Sequence, residues 1–127
     1  GYMAPSLDHA VSVFLDDLKD RGLEDKVLLV ACGEMGRTPR INKNGGRDHW
    51  GNLGPLLLAG GGLPGGAVVG RSSANGGDPA TDPVRIPNLI GTIMNTLFDT
   101  GKLRVTRGVS RELLQMADYA PIPGLGG

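Results

Sequence analysis

The chain has 127 residues, a length that suits a single domain, and its 13 basic and 13 acidic side chains cancel. This balance lacks the electrostatic footprint of a nucleic-acid-binding protein and offers no attraction to a membrane surface. The longest apolar runs have five or six residues, so no membrane span is expected. Glycine supplies 22 residues, well above the typical share of roughly 7%, which predicts a small core with many loops.

The first predicted element is an amphipathic helix over residues 6–21. Apolar side chains recur through it at helical spacing, namely Leu7, Val11, Phe14 and Leu18. Ser6 suits the N-cap, and Gly22 suits the position just beyond the C-terminus. His9 lies on this helix, and we interpret it as structural or exposed rather than as a site residue.

Two short apolar runs predict strands, at residues 27–32 (VLLVAC) and 55–60 (PLLLAG). Neither run alternates with polar residues, which is typical of strands that are buried on both faces of a parallel sheet flanked by helices. Cys32 is then expected to be a small buried residue rather than a nucleophile. The segment AVVG at 67–70 suggests a short third strand.

The rest of the chain reads as loops and two helices. Residues 36–54 form a loop, and residues 71–83, rich in Ser, Asn, Gly, Asp and Pro, form the segment most expected to be flexible. A helix is predicted over 87–98, with Gly101 just past its end, and another over 110–117, with Ser110 as its N-cap. The tail at 119–127 is predicted to be irregular.

Glu34 follows the first predicted strand almost directly. In open α/β sheets, functional sites lie beyond the carboxyl ends of the strands, so a carboxylate at this position suits cation binding or proton transfer. The alternative is an ordinary solvated acid in a loop. Position alone does not decide between these two interpretations.

The stretch GGRDHWGNLGP at 45–55 places an acid and an imidazole side by side among glycines. His49 is a suitable zinc ligand, and Asp48 can bind beside it or orient its ring. The alternative is a polar turn with a surface histidine. Arg37 and Arg47 match phosphate or sulfate oxygens with their forked donors, or else form surface ion pairs. The nearby Trp50 either walls a pocket or packs under the loop.

Residues 28–70 carry two specific motifs, GEMGRTP and GRDHW, in the order strand, loop, strand and glycine-rich turn. This pattern resembles the bacterial secreted-protein family known as domain of unknown function 1501, which usually carries Phe where this chain has Met35. The preceding LDDLKDRGLEDKVLLV and the later IPNLIGTIMNTLF are also similar to that family. The resemblance covers most of residues 7–98.

That family in turn resembles the alkaline phosphatase and sulfatase superfamily, which has a doubly wound α/β fold. The resemblance implies that residues 1–127 are one partial domain, the C-terminal portion of such a sheet flanked by helices. It implies Glu34 and His49 as ligands of a divalent metal (zinc, calcium or magnesium), with Asp48 as a further ligand or a neighbour that orients one. It also implies a nucleophile upstream of these residues and a periplasmic or extracellular location.

Two functions follow as expectations. The first is a metal-dependent hydrolase of phosphate or sulfate esters, including anionic polysaccharides, in which Arg37 and Arg47 bind the substrate. The second is a non-catalytic domain that keeps the fold to bind carbohydrate or a surface partner. Met35 favours the second, because a thioether is a poor ligand for a hard cation. Convergence of Glu34 and His49 on a common point would favour the first.

Overall fold

The computed structural model describes residues 2–125, and within them the protein is a mixed α/β structure, as expected. Its elements in chain order are α1 (Met3–Asp20), β1 (Leu28–Cys32), β2 (Gly36–Arg37), β3 (His49–Trp50), β4 (Leu56–Gly60), α2 (Ile86–Leu97), α3 (Thr100–Val105) and α4 (Arg111–Ala117). No helix in this part of the chain is both long and apolar enough to cross a membrane.

The two strands predicted from apolar runs both form, and they pair with each other as β1 and β4. Their pairing is antiparallel, with Leu28 opposite Gly60 and Cys32 opposite Leu56. The expectation of a parallel arrangement is therefore wrong for this pair, because an apolar run indicates burial but not strand direction. Both strands are largely half-buried, and Cys32 is exposed, so its predicted burial is also wrong.

The short strands β2 and β3 pair between the arms of this sheet, so that residues 28–60 form one long nested hairpin. We call the β2–β3 pair the ribbon; Gly36 lies opposite Trp50, and Arg37 lies opposite His49. Between the two sheets, residues 33–35 on one arm face residues 51–55 on the other. The second arm is longer by two residues here, and the β1–β4 pair and the ribbon are separate sheets.

The ribbon depends on a glycine at position 36. Gly36 is buried, and a Cβ built on it would overlap the carbonyl oxygen of Leu53. The ribbon is also tied to the 71–83 loop, since the Trp50 indole N–H donates to the Gly77 carbonyl at 2.6 Å. This contact favours the interpretation that Trp50 packs against a loop over the interpretation that it walls a pocket.

The expected third strand at 67–70 is not formed. Val68 is 91% exposed, and the segment makes no ladder with the described strands. An isolated β-bridge joins Ser72 to Pro79 instead, within the predicted loop at 71–83. That loop contains no helix or extended strand, and its flexibility stays a prediction.

Helix α1 begins three residues before the predicted start. Ser6 does not cap it, because its hydroxyl donates to the Tyr2 carbonyl one turn back at 2.7 Å. The C-terminal end of α1 is as predicted. Gly22 adopts a φ of 63°, and the N–H of Leu23 donates to the Leu18 carbonyl at 2.8 Å. This is the backbone pattern of a Schellman motif, which favours glycine at that position.

The C-terminal helices match the predictions closely, with one addition. The Ser110 hydroxyl accepts the N–H of Leu113 at 3.2 Å and so caps α4, as expected. Sequence reasoning missed α3, which begins directly after α2. Asp99 caps it by accepting the N–H of Lys102 at 2.9 Å, and Gly101, predicted to follow a helix, lies inside this new one.

The most buried part of the molecule lies where the tail crosses α2. The buried apolar side chains of the described residues are Leu18, Met94, Ala117 and Ile122. Thr92 is fully buried; its hydroxyl donates to the Asn88 carbonyl at 2.9 Å and accepts the Ile122 N–H at 2.8 Å. The tail is irregular over 119–125 as predicted, while residues 126–127 of the predicted tail lie outside the described part.

Much of the apolar surface is not covered. The chain exposes 9508 Å² of surface, whereas a compact monomer of 13.2 kDa exposes about 6,400 Å². The predicted apolar face of α1 contributes to this excess: Leu7 is 62% exposed and Phe14 is 40% exposed, and only Leu18 is buried. The described elements therefore do not complete a closed hydrophobic core.

Replacing Thr92 by Val should lower the free energy of unfolding by about 1–3 kcal/mol, because it leaves the buried Ile122 N–H without an acceptor. Urea denaturation measures this change. Thr106→Val is the matched control, since its hydroxyl also donates one turn back, to the Lys102 carbonyl, but is exposed. Equal losses in the two variants would contradict the structural role given to Thr92.

Replacing Gly36 by Ala should destabilise the protein by about 1–3 kcal/mol, because the new methyl group forces the Leu53 carbonyl away. Trp50, the chain's single tryptophan, lies opposite and reports the displacement as a red-shifted fluorescence emission. Gly51→Ala is the control, since a Cβ there meets nothing within 4 Å. An unchanged emission spectrum in Gly36→Ala would refute the close packing described here.

Candidate functional site

The ribbon brings the two sequence motifs together. The Thr38 N–H donates to the Asp48 carbonyl at 2.9 Å, which makes Arg37 and His49 a non-hydrogen-bonded cross-strand pair. At such positions the Cα atoms are about 4.5 Å apart and the side chains are close neighbours. Both side chains are exposed, so a guanidinium and an imidazole lie side by side at the surface.

Asn42 organises the loop that joins the two strands of the ribbon. Its Oδ1 accepts the backbone N–H groups of Asn44 and Gly46, both at 3.0 Å, and its Nδ2 donates to Asp48 Oδ1 at 2.8 Å. Sequence reasoning missed this residue. The signal was present in the sequence Asn-Lys-Asn-Gly-Gly, which is typical of a turn closed by an asparagine side chain.

The carboxylate of Asp48 and the ring of His49 do not share a face. Successive residues of an extended strand direct their side chains to opposite sides. The Asp48 carboxylate lies toward Asn42, and its backbone N–H is bonded to the Thr38 hydroxyl at 3.1 Å. Asp48 is thus built into the loop, and its role as a metal ligand stays a prediction.

The two candidate arginines differ in their surroundings. Arg47 donates through Nη1 to two consecutive carbonyl oxygens, those of Thr38 and Pro39, and so holds the loop together. Arg37 makes no hydrogen bond or ion pair with the residues that the structure describes. Only Arg37 therefore has its whole set of donors available to a ligand.

Glu34 lies in a different place, at the rim of an open groove of about 990 Å³ between β4 and the start of α2. The groove is lined by residues from both arms of the hairpin and from α2, including Cys32, Met35 and Leu89, but not by Asp48 or His49. Glu34 and Met35 are both exposed. The groove and the ribbon are thus separate features.

Residues 2–125 contain no three His, Cys, Asp or Glu side chains grouped closely enough to hold a metal ion. The predicted ligands are of the right chemical kind, since zinc accepts imidazole with carboxylate and calcium or magnesium accepts carboxylate oxygens. Within the described residues, these ligands do not form a group of three. A complete site would need donors from beyond the described residues.

Comparison with known proteins identifies the family of this chain. No curated protein and no solved structure shows significant similarity to the chain. A family model described as "Protein of unknown function (DUF1501)" matches residues 1–114, which include the ribbon, most of the groove lining and most of the helices. The chain therefore belongs to the DUF1501 family.

Proposed function

We propose that this chain carries part of a metal-dependent site that hydrolyses phosphate or sulfate esters. The observation that supports this proposal most is the cross-strand pairing of Arg37 with His49 in the ribbon. An imidazole suits a divalent cation, and a guanidinium suits the oxygens of a tetrahedral anion. A phosphate or sulfate ester could place one oxygen on the cation held by the imidazole and another on the guanidinium.

Within this proposal, Glu34 and His49 would hold the cation, and Asp48 would be the further candidate ligand or the group that orients one. The cation, when bound, supplies Lewis-acid polarisation of an ester oxygen. The protein's own part is positional: Asn42 fixes the Asp48 carboxylate, and an arginine of the site binds the non-bridging oxygens. Because the donors number fewer than a full shell, other residues must complete it.

The same proposal treats residues 1–127 as part of a larger domain that resembles alkaline phosphatase, with a doubly wound sheet. The uncovered apolar surface supports it, since the chain exposes about half as much surface again as a compact protein of its mass. The nucleophile and the remaining ligands would come from that larger domain. We therefore expect no hydrolase activity from these 127 residues alone, and a periplasmic or extracellular location for the whole protein.

A non-catalytic binding domain is the competing function, for a carbohydrate or surface partner. The dispersed ligands favour it, because Glu34 lies at the groove while His49 lies on the ribbon. The two functions differ in one testable property. Only the hydrolase requires His49 to bind a divalent cation.

Zinc added to the protein should shift the ring signals of His49 at lower concentration than those of His9, because the proposal gives His49, but not His9, a carboxylate partner in Glu34. The chain has two histidines, so both rings can be followed separately by nuclear magnetic resonance. Glu34→Gln should weaken zinc binding at His49 by at least about tenfold, because loss of a direct ligand costs no less than loss of a group that only orients one. Calcium and magnesium are titrated in parallel.

His9→Ala is the matched control, since this histidine is exposed on α1. The control should leave zinc binding unchanged, while His49→Ala should abolish it. If both rings respond at the same zinc concentration, or if Glu34→Gln has no effect, the metal site fails and the binding function is favoured.

A further inference from the structure

We propose that Arg37 is the group that binds the charged oxygens of the ligand, and that Arg47 is a structural clamp that does not contact it. This inference rests on the proposed function, since it assigns the anionic end of a phosphate or sulfate ester to one side chain. Sequence alone gives the two arginines equal standing, because both lie in the same motif-bearing loop.

The Arg47 side chain is hydrogen-bonded within its own loop. Its Nη1 donates to the carbonyl oxygens of Thr38 and Pro39, one of them at 2.7 Å. These two carbonyls belong to the turn that leaves β2, directly after Arg37. If Arg47 moved to a ligand, it would release the turn that keeps the ribbon closed.

Arg37 differs from Arg47: its backbone is held by its neighbours, while its side chain has no hydrogen-bond partner among the described residues. The residue before it, Gly36, is buried against the Leu53 carbonyl, and the N–H of the residue after it, Thr38, is bonded to the Asp48 carbonyl. The guanidinium is exposed and unbonded among the described residues. A fixed backbone lowers the entropic cost of ordering the loop when a ligand binds.

The neighbourhood of Arg37 also suits an anion. The cross-strand neighbour is His49, whose ring N–H can donate to the same oxyanion. Asp48, which precedes His49 in the sequence, is directed to the other face of the ribbon and is held there by Asn42. The face that carries Arg37 and His49 therefore holds donors without a competing carboxylate from the ribbon.

Sulfate titration of metal-free protein tests the assignment, with inorganic sulfate as the probe and the His49 ring signals as the readout. Arg37→Ala should weaken sulfate binding at least about tenfold, as expected for losing charge-assisted hydrogen bonds. Arg40→Ala removes the same charge from the same exposed loop and should change the affinity less than about twofold. The comparison separates a specific contact from general electrostatic attraction.

Arg47→Lys keeps the positive charge of Arg47 but loses the forked N–H donors of the guanidinium. We expect it to retain sulfate affinity within about twofold while lowering the free energy of unfolding, because the turn at Thr38 and Pro39 loses a donor. The proposal is overturned if wild-type protein does not bind sulfate or if Arg37→Ala and Arg40→Ala weaken binding equally. It is also overturned if Arg47→Lys loses binding as Arg37→Ala does, with Trp50 fluorescence unchanged.

The sulfate and zinc experiments test different claims, so one proposal can fail while the other stands. Sulfate binding lost in Arg37→Ala, with no zinc response at His49, would keep the anion site and reject the metal-dependent hydrolase. A zinc response at His49, with sulfate binding that ignores Arg37, would keep the proposed function and reject the role given to Arg37.

Discussion

The close approach of the Leu53 carbonyl to Gly36 is the constraint on which the site depends. A backbone oxygen occupies the space where any other residue would carry its Cβ, so the two arms of the hairpin come together at that point. From this contact the ribbon extends for two residues, and its register puts Arg37 beside His49. The same register turns Trp50 toward the 71–83 loop, which its indole N–H then holds. The packing of one glycine thus determines the neighbours of every ribbon side chain.

The sequence predicted the elements that follow from local physics. Apolar periodicity and capping residues located three of the four helices of the described chain, and Gly22 and Ser110 act where their chemistry indicated. The strands were located by their apolar runs, but their direction was not. Direction depends on where residues 33–55 lead the chain, and no local pattern records that path. α3 was missed because a glycine at position 101 suggested a helix end, whereas Asp99 begins a new helix just before it.

The sequence indicated which loop carries most of the candidate residues but not the surroundings of each one, and Glu34 lies apart from the others at the groove. The motifs indicated the loop, and the structure brings their two halves together in the ribbon. The motifs could not indicate which partner each polar side chain is hydrogen-bonded to. Arg47 bonds to its own turn, Asp48 bonds to Asn42, and Arg37 bonds to none of the described residues. Residue type and spacing are the same whether an arginine supports a loop or binds a ligand, so only the partners distinguish the two roles.

The nested arrangement of the hairpin has a consequence for the order in which the chain folds. Residues 28 and 60 are far apart along the chain, and closing that loop directly costs more conformational entropy than closing a short one. The turn at Asn42 closes a much shorter loop, and the ribbon closes the next, so each contact shortens the segment that the following one must close. Folding can therefore proceed outward from Asn42 toward the β1–β4 sheet. On this path, the loop that carries the candidate site is the nucleus of the hairpin and forms before the strands that support it.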